Sequence, residues 1–265
     1  MTTPLTTSQP IADAIPVPGK KAGVWPWVMT FIRLPLMLLG LIVGWLFLTL
    51  TGNAQPWSTA ISLTNVLFTL FVDGICLGLL LWRAREENFR FADLINFDRA
   101  RLWKDILSGL GWFIVLTILF QISTIVSMLI VYGPSIFNPQ TTTHSGFQMP
   151  PVWVFWWSAT IFPIAVGFIE EMTYRAYALP RLEAATQNRW TALLIMSFGF
   201  ALQHVALPLV DWQTSLTRFL GMLPFGLILG LIYLKSRRLM PLIIAHWALD
   251  FVFIGIFPLL AILHS

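Results

Sequence analysis

Seven long apolar segments run through this chain and restrict it to a membrane fold. They cover approximately residues 27–50, 58–82, 106–132, 151–179, 191–210, 215–234 and 241–263. About 20 apolar residues in an α-helix cross the roughly 30 Å of hydrocarbon in a bilayer. Strands of a membrane barrel would instead alternate in polarity at every second residue, which these segments do not. The sequence therefore predicts an all-α membrane protein, a polytopic bundle of about seven transmembrane helices.

The composition agrees with this class. Only 11% of the 265 residues are charged and 57% are hydrophobic, whereas soluble domains carry about 25% charged residues. In a soluble protein the net charge of +4 would suggest a nucleic-acid partner. In a membrane protein the informative feature is the position of Lys and Arg in the loops, so we expect no nucleic-acid partner. The single cysteine, Cys76, lies in an apolar segment, which excludes an internal disulfide and a cysteine metal cluster.

The basic residues predict the orientation of the bundle. Of the 16 Lys and Arg residues, 13 precede the first segment or follow the second, fourth and sixth, whereas 51–57, 133–150 and 205–214 contain none. We call the end of the bundle with these last three loops the non-basic face and the other end the basic face. Because Lys and Arg collect in cytoplasmic loops, the N-terminus is expected in the cytoplasm and the C-terminus outside. The short loops suggest the plasma membrane of a bacterium.

Three regions follow from these patterns. Residues 1–24 are polar and rich in Thr, Pro and Ala, which predicts a flexible cytoplasmic tail and not a cleaved signal peptide. Residues 25–150 hold the N-terminal transmembrane helices, with an amphipathic linker at 83–105 that is expected to lie on the membrane surface. Residues 151–265 form the C-terminal transmembrane core. Whether 191–234 makes two full spans or a partly re-entrant unit stays open at this level.

Titratable side chains inside apolar segments are the next informative feature. On insertion scales a charge at membrane depth costs roughly 3 kcal/mol, so such residues mark functional sites. The chain has nine within or beside its apolar segments: Arg33, Asp73, Glu170, Glu171, Arg175, His204, Arg218, His246 and Asp250. Six of them fall in three late segments and can converge in one chamber between helices: Glu170, Glu171, Arg175, His204, His246 and Asp250.

Spacing divides the roles of these groups. Glu171 and Arg175 are four residues apart and share one helix face, so they are expected to pair. That leaves Glu170 as an unpaired acid suited to act as a general base. In the alternative interpretation, both acids lie solvated at a helix end. His246 and Asp250 are also four apart, so that Asp250 can hold a ring nitrogen of His246 or share a ligand with it.

The order of these residues resembles the signature of a known family. The three motifs are Glu170-Glu171-x-x-x-Arg175, Phe200-x-x-x-His204 and His246-x-x-x-Asp250. They resemble the CAAX-protease and bacteriocin-processing (CPBP, or Abi) family of intramembrane proteases, over about residues 151–260. The resemblance implies an intramembrane endopeptidase whose chamber opens to the cytoplasmic side. It further implies that Glu170 and His204 activate the attacking water, and that His246 and Asp250 stabilise the oxyanion.

The resemblance leaves the cofactor open. Members of the family are described both as metalloproteases and as metal-free glutamate proteases. Three N/O ligands and a water are typical of catalytic zinc, and Glu170, His204 and His246 would supply them. The sequence lacks the His-Glu-x-x-His pattern that binds zinc from one helix. We therefore expect either no cofactor or a divalent metal such as zinc. The expected partners are membrane lipids and a peptide or protein substrate, either membrane-associated or lipid-modified.

Two other functions are alternatives to a protease. A transporter or proton-relay protein would need buried Glu, His and Asp residues, although the chain shows no internal repeat of the kind common in transporters. A non-catalytic, immunity-type membrane protein would keep the fold alone. The burial of so many polar groups argues against this last interpretation, because nothing in a pure scaffold would offset their cost.

Overall fold

Helices joined by short loops make up the structure, a computed structural model that describes residues 23–138 and 149–264. No strand occurs in these residues, which confirms the predicted all-α class. The predicted tail, 1–24, lies outside the described residues except for Gly23 and Val24. The last residue, Ser265, also lies outside them, and the sides on which the two termini lie stay predictions.

The α-helices are numbered here in chain order. The first half of the described chain forms α1 (Trp25–Phe31), α2 (Arg33–Leu50), α3 (Pro56–Ser62), α4 (Thr64–Leu67), α5 (Gly74–Glu86), α6 (Phe91–Ile95) and α7 (Leu102–Tyr132). The second half forms α8 (Val152–Glu171), α9 (Leu179–Thr186), α10 (Arg189–Gln203), α11 (Trp212–Ser236), α12 (Met240–Asp250) and α13 (Phe257–Leu263). Wider π-helical turns join α4 to α5, α8 to α9 and α12 to α13: Phe68–Asp73, Met172–Ala178 and Phe251–Ile256.

Six helical stretches of the described chain are long and apolar enough to cross a membrane. They are Arg33–Leu50, Thr64–Glu86, Phe91–Phe137, Val152–Thr186, Trp212–Ser236 and Met240–Leu263. The other predicted segment, 191–210, is shorter than expected, because α10 has 15 residues and ends in a tight turn at His204–Ala206. At 1.5 Å per residue, α10 is about 22 Å long and falls short of a full crossing. It packs along the full-length α11.

The helix that carries the Glu-Glu pair continues beyond its predicted end. The apolar pattern stops near residue 179, but α8 runs through the π-helical turn into α9 and ends at Thr186. Together these elements form one stretch of 35 residues. Because π-helical turns are often found at functional sites, the position of this turn directly after Glu171 agrees with a functional role of the Glu-Glu pair.

The predicted boundary at residue 150 does not separate two independent packing units. α7, which precedes this boundary, packs against α11 and α12, which follow it. The division into two regions stays a prediction.

The linker at 83–105 begins with an anchored carboxylate. Glu87 accepts hydrogen bonds from Tyr177 (2.7 Å) and from Arg181 (2.5 Å), and it pairs with Arg83 at 2.9 Å. Burial alone would raise the pKa of the Glu87 carboxyl, but the Tyr177 hydrogen bond and the Arg181 charge outweigh it and lower this pKa. The ionised carboxylate thus fixes the start of the linker to the basic end of the α8–α9 stretch.

The middle of the linker packs against the helical bundle. Leu94 on α6 is only 3% exposed and belongs to the main apolar core. Phe91 packs on Phe168 of α8, with ring centroids 6.3 Å apart. Phe97 and Trp103 are exposed, as expected of a surface segment. α6 therefore packs its apolar side on the bundle and contacts the π-helical turn that follows α8, and the position of the linker at the membrane surface stays a prediction.

A close helix crossing sets the position of the Glu-Glu pair. Gly167 of α8 lies against the backbone of Trp247 on α12, and a Cβ atom at position 167 would be 2.9 Å from the Trp247 nitrogen and 3.1 Å from its Cα. Small residues allow helices in membranes to approach in this way. Glu170 and His246 lie within one turn of this crossing, so the contact brings the two together.

A Gly167→Ala variant is expected to lose stability, because backbone atoms of α12 cannot move aside as a flexible side chain would. We expect the free energy of unfolding to fall by about 1–3 kcal/mol, as for other overpacked positions. Unfolding in detergent measures this. Gly78→Ala is the matched control, because no atom lies within 4 Å of a Cβ at that helical position, and it is expected to be neutral or slightly stabilising. Equal melting temperatures for the two variants would contradict the prediction.

Candidate active site

Glu171, Arg175 and His246 form a buried network at the start of the π-helical turn. Glu171 Oε1 lies 3.2 Å from Arg175 Nη1, which confirms the predicted pair. The same oxygen lies 2.8 Å from His246 Nδ1. Since a carboxylate only accepts, Nδ1 carries the proton in this contact. The Arg175 guanidinium also stacks over the ring of Phe200, 4.4 Å from its centroid. Glu171 thus holds the His246 ring in one orientation.

The partner of His246 differs from the predicted one. Asp250 Oδ2 lies 3.7 Å from His246 Nε2, which is longer than a hydrogen bond. Helical spacing places Asp250 on the correct face, but Glu171, from a different helix, occupies the other ring nitrogen. Asp250 Oδ2 has no hydrogen-bond partner among the described residues. Asp250 therefore faces the site without holding the histidine.

Glu170 has a cationic partner that the sequence did not reveal. Its Oε1 accepts a hydrogen bond of 3.1 Å from Nη2 of Arg33 on α2. The prediction of a fully unpaired Glu170 is therefore wrong, because it considered only charges within one helix. The second oxygen, Oε2, has no hydrogen-bond partner among the described residues and lies 3.9 Å from His246 Nε2. One oxygen is thus anchored, and the other is available for chemistry.

Arg33 is the centre of a second network that underlies the site. It is fully buried, and its Nη2 also lies 2.7 Å from Asp73 Oδ1 at the end of the first π-helical turn. Its Nε donates to Oε1 of Gln203 at 2.5 Å. Arg33 and Asp73 were noticeable in the sequence as buried charges of opposite sign, whereas Gln203 gave no signal. The network ties α2, the first π-helical turn and the end of α10 to the Glu170 carboxylate.

His204 follows Gln203 and begins the tight turn after α10. Its Nδ1 lies 2.7 Å from the carbonyl oxygen of Phe200. A carbonyl cannot donate, so Nδ1 carries the proton, and in the neutral ring Nε2 is left as an acceptor. The ring packs against the Phe200 ring at 4.9 Å. Together with Glu170, His246 and Asp250, His204 lines a single cavity.

This cavity has a volume of about 600 Å³ and extends from the site toward the non-basic face. Along α8 its wall includes Phe155 and a stripe made of every fourth residue: Val154, Ser158, Phe162, Val166 and Glu170. At 1.5 Å per residue this stripe is about 24 Å long. The cavity reaches the surface at Met149, which lines it and is 64% exposed.

The cavity leads to one identifiable face of the bundle. No lining residue comes from the linker 83–105 or from the basic loops after α9 and α11. On that side the site is covered by the Glu171–Arg175 turn and by Phe91 packed on Phe168. Which face lies in the cytoplasm, and with it the expected opening of the chamber to the cytoplasmic side, stays a prediction.

The predicted metal ligands, Glu170, His204 and His246, are not grouped as a metal site in the described residues. No group of three His, Cys, Asp or Glu residues in the described chain is arranged to hold a metal ion. Glu170 and His246 approach each other, with His246 Nδ1 held by Glu171 and Glu170 Oε1 held by Arg33. The atoms of these residues that would hold a metal are therefore Glu170 Oε2 and the Nε2 atoms of the two histidines, and the cofactor stays a prediction.

Comparison with protein families identifies one match. Residues 151–252 match the family described as type II CAAX prenyl endopeptidase Rce1-like. The match covers less than half of the chain, includes all six predicted site residues and confirms the resemblance to the CAAX protease family. No curated protein and no solved structure matches the chain. The apolar helices support an integral membrane protein, and the matched family is one of prenyl endopeptidases.

Proposed function

We propose that this chain, which matches the Rce1-like family over residues 151–252, is an endopeptidase that activates water with Glu170. The observation that carries the proposal is the Oε2 atom of Glu170. It is buried, has no hydrogen-bond partner among the described residues, and lies 3.9 Å from His246 Nε2 on the cavity wall. A fixed acceptor beside a histidine in a cavity suits a general base for water.

The proposed reaction begins with proton transfer from water to Glu170 Oε2. As the proton leaves, the water oxygen forms a bond to the carbonyl carbon of the peptide, and the carbonyl oxygen becomes an oxyanion. The carbon–nitrogen bond then breaks, and Glu170 returns the proton to the leaving amine. Arg33 keeps the carboxylate in place through Oε1, 3.1 Å away, so that Oε2 faces the cavity throughout.

His204 is proposed to orient the water. Its Nδ1 proton is held by the Phe200 carbonyl, which leaves Nε2 to accept a hydrogen bond from the second hydrogen of the water. Two acceptors, Glu170 Oε2 and His204 Nε2, would then fix both water hydrogens and direct an oxygen lone pair at the substrate. Such positioning supplies a substantial part of enzymatic rate enhancement.

His246 is proposed to stabilise the oxyanion. With Nδ1 donating to Glu171, a protonated His246 ring presents Nε2–H toward the cavity. Hydrogen-bond donors that face the developing charge of an acyl-transfer transition state are among the strongest catalytic contributions. Asp250 Oδ2, 3.7 Å from Nε2, adds negative charge beside the protonated ring. Arg175 acts through Glu171 and is a positioning residue.

The substrate is proposed to be a peptide or protein with an apolar segment, because most of the cavity wall is apolar. That segment would lie along the stripe of α8 that runs from Val154 to Glu170, which leads toward the non-basic face. We propose from the short loops that the protein lies in a bacterial plasma membrane, and from the distribution of Lys and Arg that its N-terminus is in the cytoplasm. No step of the proposed reaction passes through a metal.

Peptide hydrolysis by the purified protein tests the proposal. In lipid nanodiscs, the protein is expected to cleave members of a library of apolar, internally quenched peptides. His204→Ala is expected to reduce the rate by about 100-fold, in the range found for acid–base groups. His264→Ala is the matched control, because His264 is exposed at the end of α13. Proton or solute flux in vesicles without any hydrolysis would contradict the proposal and favour a transporter.

A further inference from the structure

We propose that the junction between the start of α7 and the loop after α11 binds an anionic phospholipid. This junction is formed by Lys104 and Asp105 in the first turn of α7, by Lys235 in the last turn of α11 and by Arg238 just beyond it. These four residues are called the junction site. None of them lines the cavity that holds Glu170, so the inference is independent of the proposed function.

One ion pair brings two basic segments of the chain together. Arg238 Nε lies 2.8 Å from Asp105 Oδ1, and Nη2 of the same guanidinium contacts the other carboxylate oxygen. Asp105 is only 3% exposed, and the two residues are 133 positions apart in the sequence. Lys104 precedes Asp105 directly, and Lys235 lies three residues before Arg238. The pair therefore places both lysines at one junction of helices, which no local pattern in the sequence predicts.

The two lysines of the junction site keep their charge free for an anion from outside the chain. Three carboxylates near the site are each paired with an arginine: Asp98 with Arg101 at 3.6 Å, Glu183 with Arg237 at 3.8 Å, and Asp105 with Arg238. Lys104 and Lys235 are exposed and belong to none of these pairs. Basic residues gathered at the end of a membrane helix attract anionic lipids. The junction site thus has the charge that such a lipid requires.

An exposed apolar face of α7 begins beside these charges and favours a lipid over a free phosphate ion. Residues 106–132 contain no charged side chain, and exposed apolar side chains run from Leu107 to Ile130. They span about 34 Å of helix axis, close to the roughly 30 Å of hydrocarbon in a bilayer. Lys104 is one turn before Leu107, at the level of the lipid phosphates, and follows Trp103, which is 75% exposed and suits the membrane interface. A bound molecule meets cations at one end and an apolar helix face along its length, as a phospholipid does.

Thermal unfolding of the full-length protein in neutral detergent tests the site. Short-chain phosphatidylglycerol is expected to raise the melting temperature until the site is saturated, because a ligand of the folded state stabilises it. Phosphatidylcholine of the same chain length and inorganic phosphate should not do so. Lys104→Gln and Lys235→Gln are each expected to raise the dissociation constant of phosphatidylglycerol about 5-fold, which corresponds to about 1 kcal/mol per basic residue near an anionic surface. The double variant should raise it about 25-fold.

Arg85→Gln is the matched control, because Arg85 is exposed in the last turn of α5, on the basic face but outside the junction site. Its dissociation constant should equal that of wild type. Without lipid, all variants should melt at the wild-type temperature, since the changed side chains are exposed. An equal loss of binding in Arg85→Gln would overturn the assignment, because it would mean diffuse attraction to the whole basic face. Unchanged binding in the double variant, or equal stabilisation by phosphatidylcholine or inorganic phosphate, would overturn it too.

Discussion

Glu170→Gln protein is expected to hydrolyse peptides about 1,000-fold more slowly than wild type, within the range for loss of a general base. Glutamine has nearly the same shape, and its carbonyl oxygen can still accept the 3.1 Å hydrogen bond from Arg33. What it cannot do is take a proton from water. The variant therefore separates the chemistry of the carboxylate from its place in the packing. Turnover of a cleaved peptide in nanodiscs measures the loss.

The control for this variant is Glu183→Gln. Glu183 lies on α9, in the same continuous helical stretch, and its nearest basic group is Arg237 at 3.8 Å on the surface. Exposed pairs of this kind contribute little to stability, so turnover should remain at the wild-type level. Both variants should unfold at similar temperatures. If Glu170→Gln kept more than about a tenth of the activity, another group would have to be the base.

Contacts within one helix were the part of the site that the sequence could predict. The Glu171–Arg175 pair follows from a spacing of four residues, and the pair is present at 3.2 Å. The same rule misassigned the partner of His246, which binds Glu171 from α8 in preference to Asp250 from its own helix. Periodicity places a side chain on a face, but it does not state which neighbouring helix meets that face.

Contacts between distant helices could not be predicted, even where their residues stood out. Arg33 and Glu170 are separated by 137 positions, and no local pattern joins them. Their burial among apolar residues did mark them as candidates. The three π-helical turns gave no signal at all, although one of them ends at Asp73 and another begins directly after Glu171. A hydropathy pattern detects a helix but does not detect a single widened turn.

Arg33→Met is expected to have the largest effect on stability. Arg33 is fully buried and is the cation that faces both Asp73 and Glu170. Its removal leaves these two carboxylates in an apolar interior, and loss of one partner of a buried ion pair typically costs about 3–5 kcal/mol. We expect a loss of free energy of unfolding of this size, measured by denaturant titration in detergent. Arg99→Gln, an exposed site on the linker, is the control and should be neutral.

A double variant separates the structural role of Arg33 from its role at the site. Arg33→Met with Asp73→Asn leaves Glu170 as the one carboxylate of the network without its cation. We expect this variant to regain part of the stability lost in Arg33→Met, because one uncompensated charge has been removed. Hydrolysis should not recover, because Glu170 Oε1 still lacks its donor and Oε2 is no longer fixed. Recovery of activity together with stability would mean that Arg33 supports the fold alone and does not position Glu170.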